Sequence, residues 1–349
     1  MEQLVFITLL GGIIAAAIWW GAVTLPGEKW QIMAVVPSSP TSQGSCQGMN
    51  LTYYGALSAT AYSFAVMIFI ILATAAGVSP AWVGIFTGLI LAVCIPASRI
   101  VARLVEKKNG TLTVGGAVFV GTLTAPLIIF FINNTLGIIA GPPAHVTVLL
   151  AAISIAYAFG EGMGRLACLS FGCCYGKPLN QCSSRVRKLF GRFCLVFHGK
   201  TKKIAYASNL DGQQVIPIQI ITAILYSACA LVGTWLFLAG HFGAALVETL
   251  VVTQVWRIVS EFFRADFRGN FTITPYQIMA GITILFALAV SLFTAPPQDL
   301  PRLYTGLYTL WSPGALLAVE LVWIIAFLFT GRSSVTGARI SFHVQEDKI

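Results

Sequence analysis

The residues with the clearest chemical capacity lie in one stretch, Gly160 to Pro178, which reads GEGMGRLACLSFGCCYGKP. Glu161 and Arg165 stand four apart there, on one face of a helix and in the order that favours an ion pair. Cys168, Cys173 and Cys174 follow, and the stretch then runs into the most basic loop of the chain. A second stretch, WRIVSEFFR from Trp256 to Arg264, repeats the spacing: Arg257 and Glu261 are four apart, with Arg264 three further on. Arg99, in Ala97-Ser98-Arg99, closes an apolar run.

Each ionisable residue inside an apolar segment costs about 3 kcal/mol to insert into a bilayer, so each needs a reason. Arg99, Arg103 and Arg264 sit near segment ends, where a long side chain reaches the interface by snorkelling. Arg165 and Arg257 are flanked by apolar residues and read as functional. Two guanidiniums facing one intramembrane cavity suit a phosphate, because each makes bidentate charge-assisted bonds to phosphoryl oxygens and never deprotonates. The ligand this chemistry predicts is the headgroup of an anionic phospholipid.

The elements that must position these residues are apolar helices. Of 349 residues, 57% are hydrophobic and 9% are charged, against roughly 25% charged in a soluble domain. The fold class is all-α: a polytopic integral membrane helical bundle of about nine spans. Periodicity and run length place the spans at 3–25, 53–77, 82–104, 113–133, 146–169, 215–239, 243–264, 274–294 and 311–330. The first is read as a retained span rather than a signal peptide, because no basic segment precedes it. Ser79-Pro80 fits a helix start. The segment 26–50, rich in Pro, Ser, Thr and Gln, is expected to be an exposed loop, and the tail 331–349 to be frayed. Residues 170–214 provide the one long polar loop, expected to hold a small extramembrane subdomain with a short strand at 193–197.

Lys and Arg gather on one side: eight in 170–214, with Lys107, Lys108, Arg264 and Arg268 in the neighbouring loops. The net charge of +9 suits anionic lipid, and no nucleic-acid motif accompanies it. Positive-inside counting alone puts this face in the cytoplasm. Eight cysteines are present. Cys94 and Cys229 read as small core residues, and Cys46, Cys173, Cys174, Cys182 and Cys194 as thiols on one side, expected to include a structural disulfide. A zinc site from Cys173, Cys174, Cys182, Cys194 and His198 is not expected, because no Cys-x-x-Cys pair is present. His145, His198, His241 and His343 form no readable triad, and neither a phosphate-binding loop nor a His-Glu-x-x-His motif occurs.

The residues Gly164-Arg165-Leu166-Ala167-Cys168 and Gly172-Cys173-Cys174-Tyr175-Gly176-Lys177-Pro178 together resemble the signature of bacterial prolipoprotein diacylglyceryl transferase, in a divergent branch. Tyr53-Tyr54-Gly55, Ala97-Ser98-Arg99, Gly115-Gly116, Pro217-Ile218-Gln219, Arg257–Asp266 and Gln277 resemble further family segments in the same order. The resemblance divides the chain into an extra span and loop at 1–50, a transferase-like core at 51–295, and an extra span and tail at 296–349.

It implies transfer of a diacylglyceryl group from phosphatidylglycerol to the lipobox cysteine of a preprolipoprotein, in the bacterial inner membrane, with the signature face periplasmic and no cofactor. Carried over by position, Arg165 and Arg257 are the catalytic phosphate-holding pair. Tyr54, Arg99, Glu261, Arg264, Gly176, Cys168 and Cys173 are the implied substrate-binding residues. The chain departs from the pattern at Val114, Cys168, Phe171, Cys173 and Ile216, where the family carries polar residues. That keeps headgroup binding more fully than transfer chemistry, so a non-catalytic phospholipid-binding or assembly protein is the alternative. A transporter would predict repeated halves or discontinuous helices, which the sequence does not display.

Overall fold

The computed structural model describes residues 1–41, 45–107, 113–266, 273–293, 299–341 and 343–349. Lys108 and Arg268, counted toward the basic face, lie outside them. Among the described residues nine helices are long and apolar enough to cross a membrane. In chain order they begin with α1 (Glu2–Thr24). The strands β1 (Ile32–Thr41) and β2 (Ser45–Thr52) follow. Next come α2 (Tyr53–Ala75), α3 (Pro80–Glu106), α4 (Val114–Thr135), the one-turn α5 (Gly137–Ala140) and α6 (Val146–Phe171). The extramembrane segment contains α7 (Ser184–Phe190), β3 (Leu195–Val196), α8 (Lys203–Ser208) and β4 (Gln214–Val215). The chain re-enters with α9 (Ile218–Leu238), α10 (Phe242–Glu261) and α11 (Pro275–Phe293). It ends with α12 (Leu303–Leu310), α13 (Pro313–Thr330) and β5 (Arg332–Ser341).

Local chemistry sets the helix ends. Ser79 caps α3 by accepting from the Trp82 amide at 3.1 Å, with Pro80 in the first turn, as the sequence predicts. Thr52 caps α2 in the same way through the Gly55 amide. Ser98 ties the start of α4 to α3: its hydroxyl donates to the Thr113 carbonyl at 2.9 Å and accepts from the Thr113 amide at 2.7 Å.

Helix α6 is the axis of the bundle: 72% of its spanning window is buried within the protein, against 17% for α1 and 0% for α13. Helices α2, α9 and α10 pack directly on it. A continuous apolar core fills the half of the bundle away from the basic loops, with Phe86, Phe159, Leu149, Phe237 and Leu246 at its centre.

Two expectations are corrected. Residues 32–41 and 45–52 are strands in place of the expected loop, and 332–341 form a strand in place of the first part of the expected frayed tail. Strand β2 lies between β1 and β5, antiparallel to both, with Met49 opposite both Val36 and Gly337 and Cys46 opposite Ile340. Cys46, Gly48, Asn50 and Thr52 of β2 alternate inward, and Asn50 Nδ2 donates to Thr336 Oγ1 across 286 residues of chain. Pro37 and Pro40 are tolerated because β1 is an edge strand, where a missing amide breaks no central ladder. The expected strand at 193–197 forms as β3, which pairs with β4.

The terminal spans lie against the core. Helix α13 packs on α2 and α1 on α9, and α2 meets the end of α13 where Gly55 lies against the Gly331 backbone, leaving no room for a Cβ.

Candidate functional site

The site is built around one carboxylate. Tyr157, Glu161 and Arg165 follow at four-residue intervals along α6, so they share a face. The side chain of Glu161 is 2% exposed, and its Oε1 forms an ion pair with Arg165 Nη2. The same oxygen lies 3.4 Å from Nη2 of Arg257, which reaches across from α10. Arg257 Nη2 also donates to the Tyr157 hydroxyl at 3.3 Å. Arg257 therefore takes its carboxylate from α6 and not from Glu261 one turn along its own helix. Glu261 stays within electrostatic range of Arg257 and Arg264 without an ion pair among the described residues.

Room for the Arg257 guanidinium comes from a glycine. A Cβ at Gly115, in the first turn of α4, would stand 2.7 Å from Arg257 Nη1 and 2.9 Å from the Tyr276 ring. Several buried polar atoms have no hydrogen-bond partner among the described residues: Glu161 Oε2, Arg165 Nε, Arg257 Nε, Gln219 Oε1 and Ser227 Oγ. Buried donors and acceptors are paired in the great majority of cases. Two arginine Nε–H groups left over beside one another's guanidiniums are donors suited to a ligand's oxygens.

The signature loop forms the membrane-interface side of the site. Gly172 ends α6 in the left-handed region at φ 69°, with the amides of Gly172 and Cys173 both donating to the Cys168 carbonyl. Cys174 also has positive φ, 56°, which turns the chain back toward the helix. The sulfurs of Cys168, Cys173 and Cys174 all lie within 4.8 Å of one another. Gln219 Nε2 holds the loop by donating to the Cys173 carbonyl at 2.9 Å.

The loop is further fixed by an antiparallel bridge between Gly176 and Arg264, with Ala265 N donating to Tyr175 O at 3.1 Å and Lys177 N to Phe263 O at 2.8 Å. Gly176 presses against the Ile216 carbonyl, leaving no space for a side chain. Arg264 makes a fork with Asp266, Nε to Oδ1 at 2.8 Å and Nη2 to Oδ2 at 2.9 Å.

Of the residues singled out in the sequence, Arg165 and Arg257 converge on Glu161. Tyr54 packs its ring 5.3 Å from Phe171 and stands within electrostatic range of Cys168, Cys173 and Cys174. Arg264 faces Cys174 while paired to Asp266. Arg99 takes no part in this network: it is exposed on α3 with its guanidinium 5.1 Å from the Phe329 ring of α13. The expected disulfide is absent, since all eight cysteines are free thiols. Cys182 and Cys194 donate to nearby carbonyls, those of Pro178 and Gly191, and pack against the small cluster of Leu179, Ile216 and Ile218.

Sequence reasoning did not assign site roles to Glu161, Tyr157, Gly115 or Asp266. The four-residue repeat from Tyr157 to Arg165 is a signal that finds the first two.

Beside the loop lies a fully buried lysine. Lys202 Nζ donates to the carbonyls of Ser170 at 2.6 Å and Leu25 at 3.1 Å, and burial lowers its pKa to about 8, with Glu28 opposing. It thereby fastens the end of α1 and the end of α6 to the extramembrane subdomain. A cavity of about 350 Å³ in that subdomain is lined by Lys200, Ala205, Tyr206, Asn209 and Asp211 and does not reach the arginines.

Compared with known proteins, residues 44–293 match the family model described as prolipoprotein diacylglyceryl transferase. No curated protein matches the chain.

Proposed function

Because this multi-pass membrane chain belongs to the prolipoprotein diacylglyceryl transferase family, we propose that it moves a diacylglyceryl group from phosphatidylglycerol to the lipobox cysteine of a preprolipoprotein. The observation that carries this reading is the convergence of Arg165 and Arg257 on Glu161 with both Nε atoms left over.

Two guanidiniums and one carboxylate leave the cluster with a net charge of +1, which matches a phosphodiester of charge −1. In the reaction the acceptor sulfur forms a bond to the glycerol carbon that carries the phosphate, and the carbon–oxygen bond to that phosphate breaks. Glycerol phosphate leaves, and the thiol proton passes to it. As the bond breaks, charge grows on the phosphate and its attraction to the arginines rises. The cluster therefore stabilises the transition state more than the bound lipid. Glu161 orients both guanidiniums before the lipid arrives, so little reorganisation is needed at the moment of reaction. Tyr54 and the loop from Cys173 to Gly176 line the approach from the interface.

The test is complementation of a bacterial strain depleted of its own transferase. The unaltered chain is expected to restore lipoprotein processing, and Arg165→Ala and Arg257→Ala, inserted at equal level, are not. A well-expressed chain that restores nothing overturns the transfer reading; retained anionic-lipid binding in that case gives the non-catalytic alternative. The proposal also puts the basic face in the periplasm of the inner membrane. A membrane-impermeant thiol reagent applied to intact spheroplasts is expected to label Cys182, and labelling only after lysis overturns that orientation.

A further inference from the structure

We propose that Cys168, Cys173 and Cys174 form a three-thiolate site for a single soft, thiophilic metal ion such as Zn²⁺, Cd²⁺ or Cu⁺. The sequence reading expected no metal because it sought a Cys-x-x-Cys pair in the loop and did not include Cys168, which belongs to the last turns of α6. The three sulfurs already lie within 4.8 Å of one another. A zinc–sulfur bond of about 2.3 Å places the sulfurs of a trigonal or tetrahedral site roughly 4 Å apart, so closing on an ion needs shifts of under about 1 Å.

The backbone is shaped for this convergence. Neighbouring side chains on an extended chain point to opposite sides. Here Gly172 at φ 69° and Cys174 at φ 56° fold the chain back, so that both loop thiols meet the one on the helix. A non-glycine residue in the left-handed region is uncommon and costs about 1 kcal/mol, so the conformation needs support from its surroundings. It receives that from Gln219 on the Cys173 carbonyl and from the Tyr175–Ala265 and Lys177–Phe263 hydrogen bonds that pin the loop.

The donor set is all sulfur, which selects soft ions over Mg²⁺, Ca²⁺ or Mn²⁺. Three thiolates and a divalent ion carry a net charge of −1, and cations stand ready to offset it. Arg165 and Arg264 face these thiols, and Lys203 faces Cys173 and Cys174. The remaining five cysteines are excluded: Cys182 and Cys194 sit on their own local carbonyls, Cys94 and Cys229 lie in spans α3 and α9, and Cys46 lies in β2 opposite Ile340. The inference concerns metal binding alone and stands whether or not the chain transfers diacylglyceryl groups.

The test uses the full chain, purified in detergent, reduced and freed of metal. On titration with Cd²⁺ a thiolate-to-metal charge-transfer absorption is expected to saturate at one ion per chain. Cys168→Ser, Cys173→Ser and Cys174→Ser are each expected to weaken binding at least about tenfold, while Cys182→Ser and Cys194→Ser leave it unchanged. In the unaltered chain, Cd²⁺ is expected to shield those three thiols from alkylation, read by mass spectrometry, and to leave Cys182 reactive. This second readout holds even if a serine variant does not fold. No saturable absorption, or no shielding of the three thiols, overturns the proposal, as does binding that survives all three substitutions.

Discussion

Arg257 of α10 lies 3.4 Å from Glu161 of α6, a residue 96 positions earlier in the chain. Arg165, one turn along α6, binds the same carboxylate oxygen. Two helices thus share one buried negative charge, which sets both the geometry and the net charge of the proposed headgroup site.

Removing that charge leaves two buried guanidiniums without compensation. Glu161→Ala is expected to cost about 3 to 5 kcal/mol of stability, read as a fall in the thermal unfolding midpoint of the purified chain. A double-mutant cycle with Glu161→Gln and Arg257→Gln is expected to give a coupling energy of about 1 kcal/mol or more. Simple additivity of the two substitutions contradicts the shared pairing.

Gly115 is the position where the smallest substitution does the most to the site. The added methyl group of Gly115→Ala meets Arg257 Nη1 at 2.7 Å and the Tyr276 ring at 2.9 Å, so Arg257 or Tyr276 must shift beside Glu161. Lipoprotein processing is expected to be lost while the protein still inserts. Gly12→Ala is the control, because a Cβ there meets nothing within 4 Å. Equal activity in the two variants argues against a role for the Arg257 position.

Lys202 gives the chain a pH dependence of known sign. Its folded pKa of about 8 lies below the ordinary lysine value of 10.5, so between these values the unfolded chain holds more protons. Stability is expected to rise as pH increases through that window, because the neutral amine still has two protons to give to the Ser170 and Leu25 carbonyls. Lys202→Met removes this dependence and strands both carbonyls, at a cost of about 1 to 3 kcal/mol. Denaturant titrations at pH 7.5 and 9.5, values chosen below and within the window, check both statements.

Strand β5 covers one edge of β2. Truncation after Gly331 is expected to speed amide hydrogen exchange across 45–51 and leave the nine spans protected. Unchanged exchange in β2 means that the β2–β5 pairing does not form in solution.

The sequence determined the number, length and approximate limits of the spans. An apolar run long enough to cross a bilayer satisfies its own backbone within the helix, so the information is local. It also determined the Glu161–Arg165 pair, because four-residue spacing on a helix fixes which side chains are neighbours.

Three features were decided only by tertiary structure. Arg257 chose Glu161 over Glu261, because the packing of α10 on α6 and the gap at Gly115 put the more distant carboxylate within reach. Residues 32–41, 45–52 and 332–341 became a sheet, because β2 pairs with its neighbour β1 on one side but on the other with β5, which lies far away in the chain where local composition does not record it. The signature began as a run of thiols with no recognised spacing. It became a cluster of three sulfurs only when Gly172 and Cys174 turned the loop back onto the end of α6.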